Sequence, residues 1–203
     1  LEYARRTGRN SRLSEASKDT RMRSEAIIGA PVAHGALVLS EARLEAFYRK
    51  TAKPLWGYLQ RMTGDPAAAD DLAQRAWLQF LRTPLDSDDD ARLRGLIYRT
   101  ATNLAIDEIR RSRREKEGLL ALFSMPQRRE QSDLTHDLGR AFLELKPKER
   151  SMLWLAHVEG FDHREIAGML GLEPASVRVL LFRARKRLVA ILTKLGLGPE
   201  VLP

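Results

Sequence analysis

The chain has 203 residues and a formal charge of +8, from 35 basic and 27 acidic residues. That length suits one or two domains. The lack of cysteine excludes disulfides and thiolate metal sites, and no apolar run approaches the ~20 residues of a membrane-spanning helix. The basic surplus is local, since no Asp or Glu occurs from 174 to 195, and a sited cationic surface fits DNA contact better than a general polycation does.

Residues 1–39 are polar, basic and without an apolar period, so a disordered N-terminal extension is expected. They hold no hydrophobic region of signal-peptide type, which points to a cytoplasmic protein with no membrane insertion. Met22 is the first methionine, and the residues before it are expected to be upstream translated sequence or a cloning remnant.

The first domain is expected over 40–113. Leu44, Phe47, Tyr48, Leu55, Leu59 and Met62 suggest a helix, bent at Pro54. Gly64 ends it, Asp65 caps the next helix and Pro66 occupies its first position. That helix, 66–82, turns Leu72, Ala76, Trp77 and Phe80 inward and leaves Asp70, Asp71, Gln74 and Arg75 outward. After an acidic loop, a third helix is predicted over 92–113, with Leu93, Leu96, Ile97, Ala101, Leu104 and Ile109 in the core. Asn103, Asp107 and Arg110 then share a second, polar face. Asn and Asp are poor interior helix formers; hydrogen bonding to a base edge would account for them, and so would a solvated face.

Residues 114–133, charged at both ends and broken by Gly118 and Pro126, read as a linker. A second helical domain follows over 134–197. Pro147 opens one of its helices. Asp162 and Glu165 have the spacing of a capping box, Gly171 suits a left-handed C′ position, and Pro174 suits the start of a further helix. On that helix Val177, Leu181, Ala184, Leu188, Ile191 and Leu195 form one apolar stripe. Phe182 points about 100° off the stripe, among Arg178, Arg183, Arg185, Lys186 and Arg187. The pair of helices fits a DNA-reading helix-turn-helix, or an ordinary helical hairpin with a solvated basic face. The fold class expected is therefore all-α, two small helical domains joined by a flexible linker.

Enzyme chemistry finds little support. His34, His136, His157 and His163 show no metal-ligand spacing, no phosphate-cradling glycine loop or nucleophile elbow occurs, and Asp88, Asp89 and Asp90 lack the spacing of a calcium loop. No catalytic residue, metal or cofactor is expected.

Three stretches together resemble a known family. DPAAADDLAQRAWLQFLR is similar to region 2.2, LIYRTATNLAIDEIRR to regions 2.3 and 2.4, and LKPKERSMLWLAHVEGFDHREIAGMLGLEPASVRVLLFRARKRL to region 4 of bacterial RNA polymerase sigma factors of the extracytoplasmic-function type. The resemblance covers about residues 41–195. It implies a subunit that binds core RNA polymerase and recognises promoter DNA, with an anti-sigma factor or other regulator as a further partner.

Residue by residue, the resemblance places Asn103 at the pocket for a flipped −10 base, with Asp107, Arg110 and Arg111 along the same strand path. Ser176, Arg178, Phe182, Arg183 and Arg185 match recognition-helix positions for the −35 element, and Asp70, Asp71, Gln74 and Arg75 match the polymerase-clamp helix. Two departures stand out: Ala68 replaces a usual acid, and Arg75 follows Gln74 where an acid is usual. The competing reading is an autonomous helix-turn-helix regulator, which binds operator DNA alone as a symmetric dimer.

Overall fold

The computed structural model describes residues 37–120 and 134–197; the expected N-terminal extension up to residue 36 and the linker from 121 to 133 lie outside the described residues. Among the described residues there are seven helices and no strand beyond a single bridge between Leu37 and Leu85. They are α1 (Glu41–Thr63), α2 (Pro66–Arg82), α3 (Asp90–Leu120), α4 (Leu134–Leu143), α5 (Pro147–His157), α6 (His163–Leu170) and α7 (Pro174–Lys194).

The local rules account for most boundaries. The Ser40 hydroxyl accepts from the Arg43 N–H at the start of α1, and the helix runs through Pro54 to a left-handed Gly64. The Asp65 carboxylate accepts from the Ala67 N–H to start α2. At α6 the Asp162 carboxylate accepts from the Arg164 and Glu165 N–H groups, while the Glu165 carboxylate accepts from the Asp162 N–H. That reciprocal box fixes the entry of the helix-turn-helix, and Gly171, at φ 61°, closes α6. Both ends of α3 differ: it begins at Asp90, two residues before the expected start, and continues to Leu120, so residues 114–120, expected as the start of the linker, are helical. The run RRSRREKE contains strong helix formers with Arg111–Glu115 spaced for an ion pair, and propensity there outweighs the charge density.

Helices α1, α2 and α3 bury Phe47, Leu55, Leu59, Leu72, Ala76, Phe80, Ile97 and Ala101. Phe47 stacks on Phe80 with ring centres 5.5 Å apart, and Trp77 closes edge-on over both. The second group buries Leu155, Ile166, Ala167, Val177, Leu181 and Ala184. Tyr48, expected in the first core, is half exposed at its edge and tilts against Trp77.

The two groups meet, which the two-domain reading of the sequence leaves open. Helix α3 packs against α6, and α1 against α4 and α5. Gly64 permits a close approach, because a Cβ there would lie 2.6 Å from Leu143 Cδ1. Tyr58 hydroxyl pairs with Thr102 hydroxyl at 2.7 Å where α1, α3 and α5 converge. Burial pushes the Tyr58 phenol up to about 12.

Candidate nucleic-acid interface

Helix α3 divides by face. Leu93, Ile97, Ala101, Ala105 and Ile106 are buried, while Asn103, Asp107 and Arg110 are exposed together on another side. Asp107 and Arg110 lie 3.7 Å apart across one turn and, with Arg113 and Arg114, line a shallow basic concavity. An unpaired polar side chain beside a cluster of guanidiniums suits a base edge next to a phosphate. Arg111 stands about 100° round the helix from Arg110 and is taken up by Glu108 at 2.8 Å, which raises its guanidinium pKa. The expected set is therefore brought together at Asn103, Asp107 and Arg110, with Arg111 turned toward α2.

Helix α7 divides in the same way. Val177, Leu181 and Ala184 are buried; Leu188 and Ile191 are partly so. Leu195, expected at the end of the buried stripe, is 40% exposed, because the helix ends at Lys194. Ser176, Arg178, Phe182, Arg183 and Arg185 are all exposed. Phe182 is 53% exposed, and the Lys186 ammonium sits 5.2 Å from its ring centre. Arg187 instead turns back toward Glu149 on α5, at 3.8 Å.

Sequence reasoning missed one part of this surface. His157, His163 and Arg164 join Arg185 around a cleft between the end of α5, the start of α6 and the middle of α7. The first helix of a helix-turn-helix crosses the DNA backbone, so Arg164 at the start of α6 stands on the side where a phosphate would lie, while the first N–H groups of that helix are capped by Asp162, which also lines the cleft. The capping box marks that helix start in the sequence, but only the packed turn brings His157 beside it.

The outward face of α2 also takes shape. Asp70 accepts a 2.6 Å hydrogen bond from Trp56 Nε1 and borders a groove with Gln74, Trp77, Leu78 and Leu81. Arg75 pairs with Asp71 at 3.2 Å and reaches Glu108 at 3.9 Å, so a chain of alternating charge runs Asp71, Arg75, Glu108, Arg111. The cation that departs from the family pattern is thus partly neutralised by its own helix. No group of His, Asp and Glu among the described residues could hold a metal ion, and no helix among them is long and apolar enough to cross a membrane.

Two family descriptions match parts of this chain. The family description "Sigma-70 region 2" matches residues 47–115, and "Sigma-70, region 4" matches residues 135–188. The sigma factor SigL of Mycobacterium tuberculosis, described as an ECF RNA polymerase sigma factor, is 30% identical over 169 residues, covering 80% of this chain and 96% of that protein. CarQ of Myxococcus xanthus, an RNA polymerase sigma factor, is 27% identical over 158 residues, covering 75% of this chain and 91% of its own. Among solved structures, the sigma factor RpoE of Bartonella quintana, in complex with the anti-sigma factor NepR, shares the fold with a TM-score of 0.56 at 20% identity, over 74% of this chain and 96% of that one.

Proposed function

The chain belongs to the extracytoplasmic-function RNA polymerase sigma factors, and from that premise we propose that three surfaces divide its work. A sigma factor binds core RNA polymerase and directs initiation at promoters, recognising and melting the −10 element with region 2 and binding the −35 element with region 4. On this chain we assign −10 reading to Asn103, Asp107 and Arg110, with Arg111 at the margin. We assign −35 reading to Ser176, Arg178, Phe182, Arg183 and Arg185, and core docking to Asp70, Asp71, Gln74 and Arg75.

The observation that supports this most directly is the exposure of Asn103 and Asp107 on a helix whose other sides are packed. Poor helix formers in mid-helix cost stability, which the exposed Asp107–Arg110 pair offsets only slightly, and a flipped base, whose extraction takes a few kcal/mol, offers hydrogen bonds in return. The surrounding arginines hold phosphates. The His157, His163 and Arg164 cleft adds backbone contacts that fix the recognition helix in register.

The reading makes the protein a specificity subunit without catalysis of its own, acting in the cytoplasm where core polymerase is. A regulator of the anti-sigma kind is a further partner, as NepR is for the Bartonella quintana protein. Run-off transcription with purified core polymerase and a promoter library tests the assignment. Promoter-specific transcripts that depend on this chain, with weak duplex binding by the chain alone, are expected. Tight sequence-specific binding by a dimer of the isolated chain would instead favour an autonomous regulator.

A further inference from the structure

We propose that Trp56 is a positioning residue for polymerase docking: it aims the Asp70 carboxylate, and Asp70 rather than Asp71 is the acid that receives a cation of core RNA polymerase. The inference deepens the docking assignment above and rests on it. Trp56 stands on α1 and Asp70 on α2, 14 positions apart in sequence, and the pairing of the two helices brings Trp56 Nε1 within 2.6 Å of Asp70 Oδ1. The indole is partly buried and packs against the core, so its N–H points in a set direction. An indole N–H can only donate, and its bond to a carboxylate is charge-assisted. One oxygen of Asp70 is thereby fixed. The other has no partner among the described residues, and Asp70 itself is exposed.

The two neighbouring acids differ in what holds them. Asp71 is paired with Arg75, 3.2 Å away on the same helix, and that guanidinium offsets its charge. Asp70 is held by a neutral donor, which orients a carboxylate without offsetting its charge. Lys53 borders the same groove as Asp70 but makes no ion pair with it. Position 70 thus offers a whole negative charge in one direction, whereas at position 71 an incoming cation must first displace Arg75.

The setting strengthens that charge. Trp56, Ala73, Gln74, Trp77 and Leu78 line the groove that Asp70 borders. Walls of low polarity focus the field of a charge at their edge, so a cation that meets Asp70 there is less screened than one over an open helix face. Because the carboxylate is already oriented, less side-chain freedom is lost when the cation arrives. Gln74 lies one turn beyond Asp70 on the same face and adds a donor and an acceptor beside it. The partner that fits is a polymerase segment with a lysine or arginine at the Asp70 end and apolar side chains toward Leu78.

Competition of the full chain with a second sigma factor for core polymerase, at two salt concentrations, reads the pair directly. Trp56→Phe keeps a ring in the groove and removes the N–H; Asp70→Asn removes the charge at an exposed position. Each should weaken affinity by roughly three- to fivefold at low salt, the upper range for an exposed ion pair, and by less at high salt. Asp71→Asn should cost less than Asp70→Asn. The double variant should bind no worse than Asp70→Asn alone, because an indole that acts through the carboxylate has nothing to act on once the charge is gone. Urea midpoints measured beside the affinities separate packing from docking. Should Trp56→Phe lower the midpoint, the benzothiophene isostere of Trp56, which keeps the shape of the indole and lacks only the N–H, repeats the measurement with packing intact. Additive losses in the double variant would overturn the proposal, since Trp56 would then act through packing alone. So would unchanged affinity once the N–H is removed, or a loss for Asp71→Asn as large as that for Asp70→Asn. A wild-type chain that does not bind core polymerase at all would overturn the docking reading itself.

Discussion

At the scale of single residues, neighbours in sequence have opposite fates, and the helical period separates them. Leu181 is 3% exposed and Phe182 is 53% exposed. Leu181→Ala should cost about 2–5 kcal/mol through cavity formation, read as a lower urea midpoint. Phe182→Ala should leave that midpoint nearly unchanged and weaken −35 binding; a large stability loss with promoter preference intact would show the faces to be reversed. Asn103→Ala should reduce −10 discrimination by roughly 1–3 kcal/mol, the usual scale of a base contact, without altering core affinity. Selectivity on a pre-melted template measures it, and unchanged selectivity would remove Asn103 from the site. These faces were legible because a stripe at spacings of three and four needs only one helix to interpret it. The burial of Arg150 was not legible: within KPKERS it reads as a solvated cation, and its acceptor at Met62 lies 88 residues away.

Between elements, charge pairs decide how α1, α2 and α3 hold their angles. Arg43 and Lys50 of α1 both bond the Asp90 carboxylate at the start of α3, and Lys50 first, then Arg43, hold its pKa below the ordinary value. The folded state therefore binds fewer protons there than the unfolded chain does. This contribution is full above the unfolded value of about 3.9 and fades as pH falls through the lower folded one. Asp90→Asn should flatten the acid limb of the stability curve below about pH 4, with little effect on helix content at neutral pH. The link from Asp71 through Arg75 to Glu108 works similarly between α2 and α3, and it changes what the Arg75 departure means. Arg75 restrains Asp71 as well as adding a positive charge to the docking face. Arg75→Gln frees that carboxylate and removes the charge, so affinity for core polymerase should rise a few-fold, chiefly at low salt. Exposed pairs are worth about 0.2–1 kcal/mol and are screened. A competition titration against another sigma factor at two salt concentrations measures it, and lower affinity at both would show that Arg75 makes a favourable contact of its own. Asp65 made the start of α2 readable in the sequence; the pairs joining the helices, separated by 40 residues or more in the case of Asp90, left no local pattern.

For the whole molecule, the helical class and the order of the two domains follow from patterning, but their docking does not, because Glu159, Tyr98 and Arg150 acquire partners only when distant segments meet. One consequence is that alkali should act on both domains at once. Tyr58 is completely buried where α1, α3 and α5 converge, with its hydroxyl shared with Thr102, and its pKa is raised to about 12 by burial first of all. Tyr98 is likewise raised, by burial and then by its hydrogen bond to the Glu159 carboxylate. In the unfolded chain both phenols ionise near pH 10. The folded state keeps its phenolic protons longer, so its stability is intact below that value and is lost progressively as pH rises toward the folded ones. Tyr98 bonds Glu159 across the two helical groups, and Tyr58 bonds Thr102 while lying beside Ser151 of α5, so neither can ionise without loosening the junction. Titration followed at 295 nm should show two of the four tyrosines ionising only together with the loss of far-ultraviolet ellipticity. Tyr58→Phe removes one of these steps and should move the alkaline midpoint upward, at a cost of about 1 kcal/mol near neutrality for the lost hydrogen bond. Ionisation of all four tyrosines near pH 10 with the helices intact would show that the phenols at the junction are open to water and that the domains are not docked as described.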